Sequence, residues 1–391
     1  MERQTDRHIV LYIGSLQKGG AERVMGNLAE YFYRQGFRVS FVTTYFHPPE
    51  YVLPDAAWDA ETGEASADRP GIRRLYSDPD PALLREGTIG RIHNFRIRLK
   101  TLRDLFRSLQ PDLILSFSGK NNLMAVAASR GLKTGSGRQV PCVVSVRSNP
   151  SREYGGRAMK WCAFVLFRKA EGVVLQTKGA LEFFPKAVRD KAVILPNSIH
   201  PDFMQPLAEG PREKTVVLVG RLDDNKNEAL AVRAFAGTRT AHPEYRMNIY
   251  GSGPEEDKLR DLVRELGLSG SVTLCGSVPD VASCIRKAQI FILPSKQEGM
   301  PNALIEAMSL GLACISTDCP CYGPRDLIRD GENGFLVPVD DVHAMTDRLL
   351  CLMDDPALCG RMGACALGVR EHYSPERINL SWRRYFESLM K

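Results

Sequence analysis

Short apolar runs, each bounded by turn residues and separated by stretches of helical period, recur along this chain, and that alternation restricts it to an α/β architecture. The opening unit shows the pattern. "HIVLYIG" (8–14) reads as a strand, a loop ends at Gly19-Gly20, residues 21–35 have helical spacing, Gly36 suits a helix stop, and 38–44 is again strand-like. Similar runs lie at 112–117, 141–146, 172–177 and 192–197. Such runs have no polar face to turn toward water, so they suit a parallel sheet covered by helices on both faces. The rhythm breaks at "SIHPDFMQPLAEGPREKT" (198–215), which carries prolines and no period and reads as a linker. It resumes at 215–220, 246–253, 271–276, 290–295, 313–317 and 334–338. With 391 residues there is enough chain for two cores. The expected fold is two Rossmann-like, doubly wound domains, over 1–200 and 201–375, with a ligand in a cleft at the strand carboxyl ends. "SPERINLSWRRYFESLM" reads as a last helix.

Composition narrows the function classes. No stretch approaches the roughly 20 apolar residues of a membrane span, and "HIVLYIGSL" is too short to read as a signal peptide, so a cytosolic protein is expected. Ten cysteines include no C-x-x-C pair, and they read as reduced core thiols with no metal site. Charge is uneven: residues 1–205 hold 30 Lys+Arg against 20 Asp+Glu, whereas 206–391 hold 22 against 26. Whatever attracts anions is concentrated in the first half. Nothing interleaves aromatics with the basic residues as a nucleic-acid binder would.

The stretch "SKQEGMPNALIEA" (295–307) sets two carboxylates eight positions apart. On one continuous helix they would point about 80° apart. Gly299 and Pro301 instead favour a turn followed by a helix start, which leaves Glu298 in a loop and puts Glu306 about a turn into the helix. Between them lie the free N–H groups of a helix N-terminus, a site for phosphate. A nucleotide sugar has the matching layout of sugar hydroxyls, diphosphate and ribose hydroxyls, although two solvated glutamates on a capped surface helix would give the same spacing. "VGRLDDNKN" (219–227) adds Arg221 and Lys226 just after a strand, where a guanidinium fork and a mobile ammonium could meet a diphosphate. "YGSGPEEDKL" (250–259) supplies Gly251 and Gly253 before another helix, and Gly19-Gly20 opens one in the first domain.

With "GGAERV" (19–24), "GRLDDNKN" (220–227), "GSGPEEDKL" (251–259) and "EGMPNALIE" (298–306) in this order, the sequence resembles glycosyltransferase family 4, retaining enzymes of the GT-B fold. The resemblance implies that Glu298 contacts donor-sugar hydroxyls, Glu306 the ribose, and Arg221 with Lys226 the diphosphate. It implies that Gly19 and Gly20 let the first domain's loop approach the phosphate. Gly299 and the backbone of Met300, Pro301, Asn302, Ala303 and Leu304 would line the donor, and Val278 would lie near the base. It also implies retention of anomeric configuration and a terminal helix (376–391) that crosses back onto the first domain. Arg221, Lys226 and helix N–H groups can stabilise a departing diphosphate without a divalent ion, so no metal or other cofactor is expected.

Two stretches depart from the family pattern. Where relatives carry an active-site histidine, "SVRSNPSREY" (145–154) offers Arg147, taken as a contact for acceptor or phosphate. "TDCPCYGPRDLI" (317–328) replaces a commoner Gly-Gly-x-x-Glu pattern and is similar to loops of bacterial capsule, exopolysaccharide and lipid-linked oligosaccharide transferases, some of which transfer N-acetylgalactosamine.

In "RIHNFRIRLKTLRDLFRSLQ" (91–110), Ile92, Phe95, Leu99, Leu102, Phe106 and Leu109 follow a spacing that buries one helix face. Arg96, Lys100, Arg103 and Arg107 form an adjacent basic stripe, either a solvated face or a contact for anionic lipid and a lipid-diphosphate acceptor. The reading is a metal-independent hexosyltransferase using a UDP-sugar. Its expected acceptor is an undecaprenyl-diphosphate-linked or other lipid-linked saccharide at the cytoplasmic membrane face. A soluble acceptor, a non-catalytic nucleotide-sugar binder and an NAD-dependent oxidoreductase are the alternatives. The last lacks its G-x-G-x-x-G and its ribose-binding acid.

Overall fold

Each apolar run becomes a strand in one of two all-parallel sheets. In the computed structural model, which describes residues 7–17, 19–59, 62–64 and 70–391, the first sheet holds β1 (His8–Ile13), β2 (Arg38–Thr43), β3 (Arg73–Tyr76), β4 (Leu113–Phe117), β5 (Cys142–Val146), β6 (Gly172–Leu175) and β7 (Ala192–Ile194). Their order across the sheet is β3-β2-β1-β4-β5-β6-β7. The second sheet holds β8 (Glu213–Val219), β9 (Arg246–Tyr250), β10 (Val272–Gly276), β11 (Ala288–Leu293), β12 (Ala313–Thr317) and β13 (Phe335–Val337), in the order β10-β9-β8-β11-β12-β13. Both are doubly wound, with the order reversing between β1 and β4 and between β8 and β11. The central strands β1, β4, β5, β11 and β12 are buried along their whole lengths, as continuous apolar runs require.

The chain divides into two units. One holds the described residues up to Gln176, Leu181–Leu195 and Asn379–Lys391, and the other holds Thr177–Ala180 and Pro196–Ile378. The last helix, Pro375–Leu389, is built into the first unit from Asn379 onward. Its Phe386 ring stacks on Phe32 at 5.0 Å, Trp382 packs against Phe117 at 6.2 Å, and Arg383 donates to the Gln35 side chain at 2.8 Å.

β3 went unread because "RRLY" opens with two arginines. Arg74 is nevertheless buried, donating twice to Glu50 and once to Thr43, with its guanidinium 4.9 Å from the Tyr76 ring. An ion pair with every polar atom engaged lets a strand this charged enter a core.

The helix Gly87–Leu109 corrects two expectations. Leu102 and Phe106 are buried, Phe106 edge-on to Tyr12, but Ile92 and Phe95 are 63% and 53% exposed. Among the described apolar side chains of this 23-residue helix, the buried ones, Leu102 and Phe106, lie in its carboxyl half, while Ile92 and Phe95 stand out from the core. Nor is the basic stripe uniform. Arg103 donates to the carbonyls of Ala128 and Arg130, closing the end of helix Gly119–Ser129, and Arg107 pairs with Asp104 at 2.9 Å. Arg96 and Lys100 remain exposed. All ten cysteines are free thiols; Cys284 and Cys365 are exposed, contrary to a uniformly core reading. No helix among the described residues is long and apolar enough to cross a membrane.

His8, at the start of β1, is buried between Ser40 Oγ, 2.9 Å from Nε2, and an Arg38 guanidinium nitrogen, 2.6 Å from Nδ1. Burial, reinforced by the Arg38 charge, pushes its pKa down to about 4. The folded protein therefore binds fewer protons here than the unfolded chain. We predict that stability is full above about pH 6.5 and falls toward pH 4, with this group accounting for on the order of 3 kcal/mol. Urea melts across that range should show a shallower acid-side loss in His8→Gln than in the wild type.

Candidate active site

The reversal between β8 and β11 separates the loops that leave their carboxyl ends, and the residues of interest in the second unit lie on those loops. After β8, Asp223 Oδ1 accepts from the backbone N–H groups of Asn225 and Lys226, at 3.1 and 3.0 Å, making a tight turn that Asn227 closes in the left-handed region (φ 54°). After β11, the segment 294–301 runs alongside. Lys296 N–H donates to Asn225 O at 2.8 Å, and Asn225 Nδ2 donates to Gln297 O at 3.0 Å.

With the loops fastened together, Lys226 Nζ reaches Glu298 Oε1 at 2.5 Å. The Glu298 side chain is 11% exposed. Burial would lower the lysine pKa, but the charge and hydrogen bond of Glu298 reverse this and hold it above its ordinary value. Ser295 Oγ donates to the same carboxylate oxygen at 2.7 Å.

Helix Asn302–Ser309 starts directly after this loop. Pro301 precedes it and supplies no side-chain cap, so no side chain at that position competes for its first N–H groups. Asn302 Oδ1 accepts from Asn197 Nδ2 at 2.6 Å, and the same amide donates to Met300 O at 3.2 Å. Met300, Pro301, Leu304 and Glu306 are buried, while Ala303 and Gly299 are half-buried. Glu306 lies one turn inside the helix, as the turn-and-helix reading expects.

Other residues singled out in the sequence stand apart from the pair. The Arg221 side chain is 73% exposed, with its Nε 3.9 Å from Asp223 Oδ2. Gly251 and Gly253 are spacers: a Cβ there would meet Gly220 O at 1.7 Å and Leu222 O at 2.1 Å. Their absent side chains allow the loop carrying Arg221 to lie against the next strand's exit. Val278 is half-buried against the core. In the first unit, Gly19 precedes and Gly20 begins helix Gly20–Arg34 after β1. Arg147 is buried with its guanidinium 4.7 Å over the Phe117 ring, and burial pushes its pKa down to about 9.

Sequence reasoning missed the support behind Glu298. Thr317 Oγ1, at the end of β12, donates to Ser295 O at 2.5 Å, and Cys319 is buried against the Glu298 backbone. Cys321 (φ 74°) and Tyr322 (φ 57°) are both left-handed, and they turn the chain so that Gly323 presses on the carbonyl of Gly299. Hydroxyls at the ends of "IFILPS" and "ACIST" were visible as polar closures of apolar runs, but nothing in one sequence says that they meet.

Comparison with known proteins identifies the family and the fold. Residues 200–367 match the family model described as glycosyl transferases group 1, and residues 19–198 match the glycosyl transferase 4-like domain. The chain is 30% identical, over 66% of its length and 71% of the relative's, to the Campylobacter jejuni N-acetylgalactosamine-N,N'-diacetylbacillosaminyl-diphospho-undecaprenol 4-alpha-N-acetylgalactosaminyltransferase. It is 33% identical over 55% of its length to an exopolysaccharide phosphotransferase of Streptomyces coelicolor, of which the match spans 23%. The crystal structure of Anabaena HepE in complex with UDP and glucose superposes with a TM-score of 0.76, covering 98% of this chain and 100% of that one at 16% identity, a likeness of fold in the GT-B class.

A Cβ at position 323 would lie 1.6 Å from Gly299 O, so Gly323→Ala must displace the Glu298 loop. We expect a loss of about 1–3 kcal/mol in thermal unfolding. Gly360→Ala, where nothing lies within 4 Å, serves as the control and should leave the melting midpoint in place or raise it.

Proposed function

We propose that this chain, which belongs to the group 1, family-4-like glycosyltransferases, transfers a hexose or N-acetylhexosamine from a UDP-sugar to a lipid-linked saccharide, retaining anomeric configuration and needing no divalent ion. The observation that carries this reading is the Lys226–Glu298 pair between the loops that leave β8 and β11, beside the start of helix Asn302–Ser309. UDP in the HepE structure and the diphospho-undecaprenol acceptor of the Campylobacter enzyme support the donor and acceptor classes.

Glycosyl transfer builds an oxocarbenium-like centre while negative charge grows on the departing diphosphate, so stabilising that charge is the main service a protein can provide. Lys226 supplies a point charge, Arg221 a fork free to swing in from solvent, and the first N–H groups of helix Asn302–Ser309 a positive end. Glu298 accepts from sugar hydroxyls, and Glu306, deeper in the helix, is placed for the ribose. Attack by the acceptor on the face the diphosphate leaves, with a phosphate oxygen taking the acceptor's proton, gives retention. Thus Glu298 positions the sugar and forms no covalent bond.

The first unit adds a surface suited to a lipid acceptor. Ile92 and Phe95 stand exposed on helix Gly87–Leu109 among Arg91, Arg96, Arg98 and Lys100, and Trp161 is 66% exposed beside Lys160. Apolar side chains interleaved with cations suit the interface of an anionic bilayer, each cation there being worth about 1 kcal/mol. This surface supports peripheral attachment at the cytoplasmic membrane face.

Glu298→Gln and Lys226→Ala should each lower transfer from a UDP-sugar by about 10²-fold in protein that is still folded. Turnover like the wild type's in either would remove the pair from the reaction. Ile92→Ser with Phe95→Ser should reduce co-sedimentation with anionic vesicles while leaving UDP affinity unchanged; equal sedimentation would assign that helix to solvent.

A further inference from the structure

Glu298 Oε1 carries two hydrogen bonds, from Lys226 Nζ and Ser295 Oγ. Among the described residues, its other oxygen, Oε2, receives none. A glutamate's terminal torsion is broad and two-fold, so a single contact leaves the plane of the carboxylate undetermined. Lys226 cannot determine it alone, because an ammonium on a four-carbon stem is a mobile point charge. If the lysine also serves a diphosphate, its grip on Glu298 weakens when donor arrives.

Ser295 differs in kind from the lysine. It is fully buried two residues past β11, and its carbonyl accepts from Thr317 Oγ1 at 2.5 Å; the same hydroxyl is 3.4 Å from Leu293 O. The ends of two adjacent strands therefore hold the Ser295 backbone, from which Oγ reaches Glu298. Cys319, its thiol pushed up to about 12 by burial and so protonated, fills the space against the Glu298 backbone.

We propose that Ser295 is a positioning residue that divides the Glu298 carboxylate between two tasks, anchoring Oε1 to the protein while Oε2 is presented to a hydroxyl of the transferred sugar. This rests on the glycosyl-transfer reading above. It assigns the alignment of the sugar to a residue that touches neither sugar nor phosphate. A reacting group misplaced by about 1 Å costs on the order of 10²-fold in rate, so loss of this anchor should be felt in turnover.

The test compares wild type, Ser295→Ala and Ser295→Thr, with Glu298→Ala and the Ser295→Ala/Glu298→Ala double variant. Readouts are UDP affinity by calorimetry and UDP release from UDP-glucose, UDP-galactose, UDP-N-acetylglucosamine and UDP-N-acetylgalactosamine without acceptor. Ser295→Ala should bind UDP within threefold of the wild type and release it from the preferred donor at least tenfold more slowly. Ser295→Thr, which keeps the hydroxyl, should recover most of that rate. In the Glu298→Ala background, adding Ser295→Ala should cost nothing further, since the two residues act as one unit. A folded Ser295→Ala protein with wild-type turnover overturns the proposal. So does a further loss in the Glu298→Ala background, which would give Ser295 an effect independent of the carboxylate. A wild type that neither binds UDP nor releases it from any of the four donors overturns the glycosyl-transfer reading itself, and with it the role given to Oε2.

Discussion

The ion pair between Lys226 and Glu298 joins side chains 72 positions apart in the chain, and the rest of the second unit can be understood as what brings them together. Neighbouring strands β8 and β11 send their loops apart because the order of the sheet reverses between them. The Asp223 turn, the backbone bond from Lys296 to Asn225 and the Asn225 side-chain bond to Gln297 O then draw the loops together. Removing two charges from water costs about as much as their attraction returns, so a half-buried pair of this kind adds little to stability. Its value lies in placing a cation and an anion, both still reachable, beside the uncapped start of a helix.

Behind the pair lies a second layer whose role is mechanical. Loop 317–323 meets the Glu298 loop through a hydroxyl, a thiol and a glycine: Thr317 on Ser295, Cys319 against Glu298, and Gly323 on Gly299. Two left-handed residues, Cys321 and Tyr322, bring Gly323 into position, and Gly179 makes room for the Tyr322 ring, which a Cβ would approach to 2.4 Å.

Most of the fold was legible because burial on both faces leaves a plain mark, an apolar run closed by turn residues. β1, β4, β5 and β12 begin and end within a residue or so of those runs. β3 was not legible, since Arg74 enters the core only by virtue of Glu50, which lies 24 residues away. The amino half of helix Gly87–Leu109 misled for the opposite reason: its spacing predicts a buried face, but among the described residues Ile92 stays largely exposed. The places of Glu298 and Lys226 in loops and of Glu306 inside a helix could be read because turn and helix signals fix them locally. Ser295, Asn197 and Cys319 could not, because their meaning comes from contacts made between strand ends distant in sequence. Arg103 looked like its neighbours in the stripe, and only the end of helix Gly119–Ser129 distinguishes it.

The central claim is that the second unit holds a nucleoside diphosphate by its own cations and helix N–H groups. Phosphorus NMR of UDP titrated with the protein in EDTA tests it most directly. The account predicts that the β-phosphorus resonance shifts and broadens with wild type and that Lys226→Ala abolishes most of the change. A β-phosphorus signal that stays unmoved with wild-type protein at millimolar UDP would contradict it.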